Sequence, residues 1–147
     1  MSTSTKTLTI LMADDDADDR LLAKEAMYES RVLNELYFVE DGVQLLNYLR
    51  GTAEFSDRSL YPMPGLILLD LNMPKMDGRE ALAEIKADPR LRRIPVVILT
   101  TSKAEADMVK GYDLGAASYI AKPVTFDALV ELMRTLGKYW VEFVELP

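Results

Sequence analysis

The chain has 147 residues, 49% of them hydrophobic, and its 24 acidic and 17 basic residues give a formal net charge of −7 at pH 7. This length fits one globular domain with a sizeable core, and the negative charge argues against direct nucleic-acid binding through phosphate neutralisation. The chain has no cysteine and no histidine, which excludes disulfides, thiolate or imidazole metal sites, and catalysis that needs a histidine base. Because the sequence shows neither a signal peptide nor an apolar run approaching the roughly 20 residues of a membrane span, we expect a soluble cytoplasmic protein.

Short apolar runs alternate with amphipathic segments along the chain. Five runs predict strands, namely Thr7–Ala13, Leu36–Val39, Leu66–Leu69, Val96–Leu99 and Ala117–Ile120. The first four start roughly 30 residues apart, the length of a βαβ unit. We therefore predict an α/β fold, a (βα)5 doubly wound domain whose five-stranded parallel sheet carries helices on both faces.

Helical spacing predicts five helices between and after these strands. The predicted apolar positions are Leu21, Leu22 and Ala26 in the first helix, Val43, Leu45, Leu46 and Leu49 in the second, and Ala81, Leu82 and Ile85 in the third. A weaker fourth helix is predicted over Ala104–Leu114, and a fifth begins at Phe126. The connection Gly51–Pro64 is long for its place, and we expect it to hang on the surface away from the functional site.

Polar residues follow four of the predicted strands. They are Asp14, Asp15 and Asp16 after the first strand, Asp70 and Asn72 after the third, Thr100 and Thr101 after the fourth, and Lys122 after the fifth. In a doubly wound sheet these carboxyl ends converge at one edge. Clustered carboxylates repel one another unless a cation joins them, and hard oxygen ligands suit Mg²⁺. With a lysine and a threonine hydroxyl nearby to hold an anion, the arrangement indicates a phosphoryl group on Asp70.

These residues resemble the signature of two-component response-regulator receiver domains. The matching elements, in order, are Asp14-Asp15, Asp70-Leu71-Asn72-Met73-Pro74, Met76-Asp77-Gly78, Thr100 and Lys122-Pro123. The resemblance covers nearly the whole chain and implies a flavodoxin-like fold. It also implies that a histidine kinase donates a phosphoryl group to Asp70, since the chain has no histidine of its own.

The resemblance further implies a role for each pocket residue. Asp15, Asp70 and the main-chain carbonyl of Asn72 would bind Mg²⁺ directly, and Asp14 would act largely through water. Lys122 would pair with Asp70 and then with the phosphoryl oxygens, and Thr100 would swing its hydroxyl toward them. Tyr119 would move inward as the aromatic switch, Gly78 would permit close packing near the next helix, and the bond before Pro123 would be cis.

Some of these residues have other interpretations. Asp16 is expected to cap the first helix rather than to bind metal. Strand register favours Thr100 as the switch residue, with Thr101 as the alternative. Tyr119 could simply pack in the core.

The end of the chain carries a second specific signal. After a receiver domain over residues 1–137, residues 138–147 form a hydrophobic tail that such a domain does not need. Exposed aromatic and aliphatic residues usually mark an interface, so we expect a homodimer built partly from this tail. The expected interface residues are Tyr139, Trp140, Phe143, Val144 and Leu146. The alternative is that the tail folds back on its own domain.

Three classes of function remain open. The favoured one is a phosphorylation-switched signalling module, not an enzyme beyond its own phosphotransfer and autodephosphorylation, whose output is altered protein binding and not DNA binding. The chain is similar to single-domain response regulators paired with bacterial phytochrome histidine kinases, which would make red or far-red light the upstream signal. The alternatives are a Mg²⁺-dependent phosphohydrolase of the haloacid-dehalogenase type, although Asn72 stands where a second acid is expected, and an unphosphorylated pseudo-receiver scaffold.

Overall fold

The computed structural model describes residues 9–30, 35–100, 118–121 and 126–143, with only the backbone described at Thr100, 118–121 and 136–143. The strands are β1 (Thr9–Ala13), β2 (Glu35–Val39), β3 (Leu66–Asp70), β4 (Val96–Thr100) and β5 (Ser118–Ala121). The α-helices of the described residues are α1 (Ala17–Ser30), α2 (Gly42–Arg50), α3 (Gly78–Ala87) and α4 (Phe126–Phe143). A 3-10 turn covers Ala53–Phe55.

The five strands form one parallel sheet in the order β2-β1-β3-β4-β5. The strand order reverses direction at β1, so the carboxyl ends of β1 and β3 border the crevice where doubly wound folds place their ligands. The predicted (βα)5 doubly wound sheet is confirmed, and all five predicted strands lie within two residues of the observed ones. The predicted helix at Ala104–Leu114 lies outside the described residues.

Alternation along the strands separates two hydrophobic cores. In β3, Ile67 and Leu69 face one side of the sheet, and Leu66 and Leu68 face the other. The first core packs against α2 and α3, and the second packs against α1 and α4. Every residue of β3 is buried, because the strand is central and covered on both faces.

The buried faces of the first two helices differ in part from the predicted ones. In α1 the buried residues are Ala23, Ala26, Met27 and Ser30, whereas Leu21 is 55% exposed. In α2, Leu45, Leu46 and Leu49 are buried as predicted, together with Tyr48, but Val43 is exposed. The predicted positions in α3, Ala81, Leu82 and Ile85, are all buried.

The connection between α2 and β3 lies on the surface, as predicted, with most of its residues exposed, but tertiary contacts anchor it to the domain. Phe55 is buried, and its ring packs 5.3 Å from that of Tyr48 and 5.1 Å from that of Tyr61. The Arg58 guanidinium donates to the carbonyls of Tyr48, Leu49 and Tyr61, at 2.8, 2.7 and 3.2 Å. The bonds to Tyr48 and Leu49 satisfy carbonyls in the last turn of α2, where helical partners are lacking. The bond to Tyr61 joins two parts of the connection itself. The connection lies at the amino end of β3, as expected away from Asp70.

Helix α4 begins at Phe126 as predicted and buries Leu129, Val130 and Met133, with Leu132 partly buried beside them. Its backbone continues through residues 138–143 of the predicted tail. The side chains of Tyr139, Trp140 and Phe143 are not described, and Val144 and Leu146 lie outside the described residues. Their role in a dimer therefore stays a prediction. No helix in the described part of the chain combines the length and apolarity that a membrane span needs.

Candidate functional site

Three carboxylates meet at the carboxyl edge of the sheet. Asp70 is the last residue of β3, and Asp14 follows β1, which pairs with β3 through Ala13 and Leu69. Oxygen atoms of Asp14, Asp15 and Asp70 all lie within 4.8 Å of one another. Asp14 and Asp70 are buried and Asp15 is exposed. The sequence prediction that these residues come together is confirmed.

Backbone amides orient the two buried carboxylates in the same way. The Asp16 N–H donates to Asp14 Oδ1 at 3.0 Å, and the Asn72 N–H donates to Asp70 Oδ1, also at 3.0 Å. Each bond closes a local turn in which a carboxylate accepts from the amide two residues later. The loops that follow β1 and β3 therefore fix the carboxylates that they carry.

Asp16 has a different role from its two neighbours. Its Oδ1 accepts from the N–H groups of Asp18 and Asp19, at 2.8 and 3.3 Å, which makes it the cap of α1. The prediction that Asp16 caps this helix is confirmed.

The donor set of the cluster fits a hard divalent cation. At an effective dielectric constant of about 20, two like charges at this separation repel by about 3 kcal/mol, so the buried pair Asp14 and Asp70 favours a cation between them. Carboxylate oxygens without nitrogen or sulfur are the ligands that Mg²⁺, Ca²⁺ and Mn²⁺ accept. An exposed third carboxylate leaves the pocket open toward solvent.

The loop from β3 to α3 packs tightly beneath Asp70. The Gly78 N–H donates to the Leu71 carbonyl at 3.0 Å, and a Cβ on Gly78 would lie 2.6 Å from the Asp70 carbonyl oxygen. The absence of a side chain at Gly78 lets α3 begin against the end of β3, as predicted. Asp77 caps α3 in a reciprocal capping box with Glu80.

The remaining predicted pocket residues are Thr100 at the end of β4, Tyr119 within β5 and Lys122, which follows β5 in the sequence. The register pairs Asp70 with Leu99 and Thr100 with Ala121, which places the backbone of Thr100 at the same edge of the sheet. The side chains of Thr100 and Tyr119 are not described, and Lys122, with its bond to Pro123, lies outside the described residues. Their roles stay predictions.

Comparison with known proteins identifies the family. Residues 10–134 match the response regulator receiver domain family. The chain belongs to this family. The response regulator Rcp1 of Synechocystis sp. is 41% identical over 138 residues, which cover 94% of this chain and 92% of Rcp1.

Solved structures of receiver proteins agree with this membership. The phosphorylated cyanobacterial phytochrome response regulator RcpA has a TM-score of 0.83 at 41% identity, covering 97% of this chain and 99% of RcpA. The Mn²⁺-bound form of Rcp1 has a TM-score of 0.78 at 40% identity, covering 95% of this chain and 99% of Rcp1. The bacteriophytochrome response regulator RtBRR has a TM-score of 0.79 at 40% identity, covering 97% of this chain and 85% of RtBRR.

Sequence reasoning missed two cations that contact the loops and turns around the acidic cluster of this receiver domain. The Arg20 guanidinium donates to the main-chain carbonyl of Asp14 at 2.8 Å. The Lys75 ammonium lies 3.7 Å from the Asp41 carboxylate. The spacing of Arg20 after the acidic run suggests that it could turn back over the loop, but the contact of Lys75 with α2 depends on tertiary structure.

Proposed function

We propose that this receiver domain accepts a phosphoryl group on Asp70 from a phosphohistidine of a partner kinase. Support comes chiefly from the position of Asp70, a buried carboxylate at the end of the central strand β3, within 4.8 Å of the oxygens of Asp14 and Asp15. In this proposal Asp15, Asp70 and the Asn72 main-chain carbonyl bind Mg²⁺, and Asp14 acts through water. The Mn²⁺-bound form of Rcp1 supports a divalent cation in a relative.

The chemistry is a direct displacement at phosphorus. A carboxylate oxygen of Asp70 forms the new O–P bond while the bond from phosphorus to the histidine nitrogen of the donor breaks, and the nitrogen keeps that electron pair. A bound Mg²⁺ supplies positive charge that offsets the charge on the carboxylates and the phosphoryl oxygens. Asp70 needs no general base when it is ionised, so the chain has to position the nucleophile and hold the transferred group.

Residues of β4 and β5, together with Lys122, complete the proposed pocket. Lys122 pairs with Asp70 and then with the phosphoryl oxygens, and Thr100 donates its hydroxyl to another of them. Tyr119 takes up the inward position that the movement of Thr100 opens. The backbone of Thr100 at the carboxyl edge of the sheet supports this assignment.

The proposed donor is a bacteriophytochrome histidine kinase, and the output is a change in protein–protein interaction. Support comes from the descriptions of two similar proteins, RcpA as a phytochrome response regulator and RtBRR as a bacteriophytochrome response regulator. The proposed assembly is a homodimer that uses the residues after Lys138. The protein acts as a phosphoacceptor whose acyl phosphate then hydrolyses, and not as a catalyst of a separate substrate.

Incubation with acetyl phosphate and Mg²⁺ tests this function. We expect one phosphoryl adduct by intact mass, labile to hydroxylamine and absent from Asp70→Asn. Continuous release of phosphate from varied phosphomonoesters would instead support a phosphohydrolase. No adduct under any condition would support a pseudo-receiver scaffold.

A further inference from the structure

We propose that Arg20 and Lys75 are positioning residues for the acidic cluster, and that both act through the turn between β2 and α2. On one side this turn, Glu40 to Gly42, contacts Arg20 of α1, which donates to the loop after β1, and on the other side it contacts the loop after β3. We call it the bracing turn. The inference rests on the proposed function, since it assigns residues that hold the cluster in the geometry needed for metal binding and phosphoryl transfer.

The first contact ties the bracing turn to the loop that carries Asp14 and Asp15. Arg20 donates through Nη1 to the Asp14 carbonyl at 2.8 Å and through Nη2 to Glu40 Oε1 at 3.4 Å. The Asp14 N–H donates to the Val39 carbonyl, immediately before Glu40, at 3.0 Å. The N–H of Asp14 is thus bonded to β2, and its carbonyl is bonded to Arg20, a cation that also contacts the bracing turn.

The second contact ties the bracing turn to the loop after Asp70. Asp41 is buried, with Oδ1 accepting from the Gln44 N–H at 2.8 Å and Oδ2 lying 3.7 Å from Lys75 Nζ. The Gly42 N–H donates to the Met76 carbonyl at 3.0 Å. A Cβ on Gly42 would clash with that carbonyl oxygen, so α2 begins in direct contact with the loop.

The loop needs this support because its backbone is strained at Lys75. Lys75 has a φ of +64°, a conformation that disfavours residues with a side chain. The Met76 N–H donates to the Pro74 carbonyl at 2.7 Å, which closes a three-residue turn around Lys75. Such conformations persist where neighbouring structure holds them. The Asp41 carboxylate supplies an attraction on the side chain of the strained residue itself.

A positioning role and a purely electrostatic role predict opposite changes in Mg²⁺ affinity when Arg20 or Lys75 is neutralised, so the two can be told apart. Arg20 contacts the main chain of Asp14, and Lys75 lies on the loop that follows Asp70, so both are cations held to loops of a cluster proposed to bind a cation. If they acted only through charge, neutralising either would remove repulsion and tighten Mg²⁺ binding. If they hold the loops, neutralising either lets the carboxylates move apart and weakens Mg²⁺ binding.

The experiment titrates metal-free protein with Mg²⁺ by calorimetry at about 0.15 M salt, where the Debye length is about 8 Å. We expect Arg20→Gln and Lys75→Gln each to raise the Kd for Mg²⁺ about two- to fivefold, the range expected for loss of one partly exposed charged contact. The rate of adduct formation from acetyl phosphate should fall as the Kd for Mg²⁺ rises. An unchanged or lower Kd in both variants would overturn the proposal.

Arg50→Gln is the matched control. Arg50 lies at the other end of α2, where it pairs with Glu84 at 3.6 Å and Asp88 at 3.8 Å. Removing it takes away a similar cation and its contacts between α2 and the end of α3, which lie far from the acidic cluster. It should lower thermal stability without raising the Kd for Mg²⁺. A rise equal to that of Lys75→Gln would assign the effect to general destabilisation and overturn the proposal.

Amide hydrogen exchange in the metal-free protein separates this inference from the proposed function. Arg20→Gln should speed exchange at the Asp14 amide, and Lys75→Gln should speed it at the Gly42 amide, whereas Arg50→Gln should change neither. Absence of a phosphoryl adduct from the parent protein would reject the proposed function without altering these expectations. Unchanged exchange at both amides would reject the bracing role, whether or not the parent is phosphorylated.

Discussion

The Asn72 N–H donates to Asp70 Oδ1 at 3.0 Å, so the residue proposed to offer a carbonyl to the metal also orients the carboxylate proposed to be phosphorylated. In the proposed site the amide and the carbonyl of Asn72 both act beside the Asp70 carboxylate. A change in this loop therefore moves the nucleophile and a metal ligand together. Phosphoryl transfer depends on in-line geometry and is sensitive to such movement.

Mg²⁺ should raise the melting temperature of the protein, and Asp15→Ala should abolish the rise. A ligand at 100 times its Kd stabilises the folded state by about 2.7 kcal/mol, which corresponds to roughly 5–10 °C in a domain of this size. Asp15 is exposed, so its removal should disturb the fold little. Thermal denaturation with Mg²⁺ and with a chelator measures both effects.

Asp18→Ala is the control for this measurement. Asp18 is an exposed carboxylate in the first turn of α1, three residues after Asp15. Asp18→Ala should keep the full rise in melting temperature with Mg²⁺. If Asp15→Ala also keeps it, the assignment of Asp15 as a metal ligand is wrong.

Gly78→Ala should destabilise the protein, although alanine favours helices more than glycine does. The new Cβ would meet the Asp70 carbonyl oxygen at 2.6 Å and the Leu71 Cα at 2.7 Å, and such overpacking typically costs about 1–3 kcal/mol. Because the clash falls on the backbone of Asp70, formation of the phosphoryl adduct should slow as well. Urea unfolding and the rate of phosphorylation by acetyl phosphate measure the two effects.

Ala83→Gly is the control that lowers the stability of the protein without displacing the backbone of Asp70. Ala83 is an exposed residue of the same helix, α3, and a glycine there should cost about 1 kcal/mol. Its phosphorylation rate should match that of the parent. Normal phosphorylation of Gly78→Ala would show that α3 does not need to pack so closely against Asp70.

The sheet and the acidic cluster could be predicted because they depend on local pattern. The run Leu66–Leu69 is short and follows Pro64-Gly65, which favours a buried strand over a helix, and the position of Asp70 at its end follows directly. Convergence of Asp14 and Asp15 on Asp70 then requires only that β1 and β3 be neighbours, as doubly wound folds dictate.

The packed conformation of the connection after α2 could not be predicted, because it depends on tertiary contacts. Its composition is polar and rich in turn residues, yet Phe55 and Tyr61 pack on Tyr48, and Arg58 closes the end of α2. Similarly, helical periodicity could not decide that Leu21 is exposed. The buried face of α1 uses small residues such as Ala23 and Ala26, whose hydrophobicity is weak but whose size permits close packing.

Tyr48→Phe should flatten the loss of stability at alkaline pH. Burial raises the pKa of the Tyr48 phenol well above its usual value of 10.0. The unfolded chain therefore releases this proton near pH 10 while the folded protein keeps it, so the stability from this group is full below pH 10 and is lost as pH rises through the folded pKa.

The variant has opposite effects at neutral and alkaline pH. At pH 7 it should be less stable by about 1 kcal/mol, because it loses the 2.9 Å hydrogen bond to the Pro62 carbonyl. Between pH 10 and 11 its stability should fall less steeply than that of the parent. Denaturation across this range measures the slopes, with Tyr28→Phe, at an 86% exposed residue, as the control. Equal slopes in the parent and Tyr48→Phe would contradict the role of Tyr48.

Deletion of Trp140–Pro147 should halve the apparent mass in light scattering if the tail forms the proposed homodimer. The backbone of α4 continues as helix to Phe143, so the deletion removes the last part of this helix together with Trp140 and Phe143, two of the three aromatic residues expected at the interface. The buried contacts of Leu129, Val130 and Met133 lie earlier in α4, so the shortened domain should still fold. Deletion of Pro147 alone is the matched control and should retain the dimer. A dimer that survives removal of Trp140–Pro147 would move the interface to another surface of the domain, and a parent protein that is monomeric at high concentration would reject the homodimer itself.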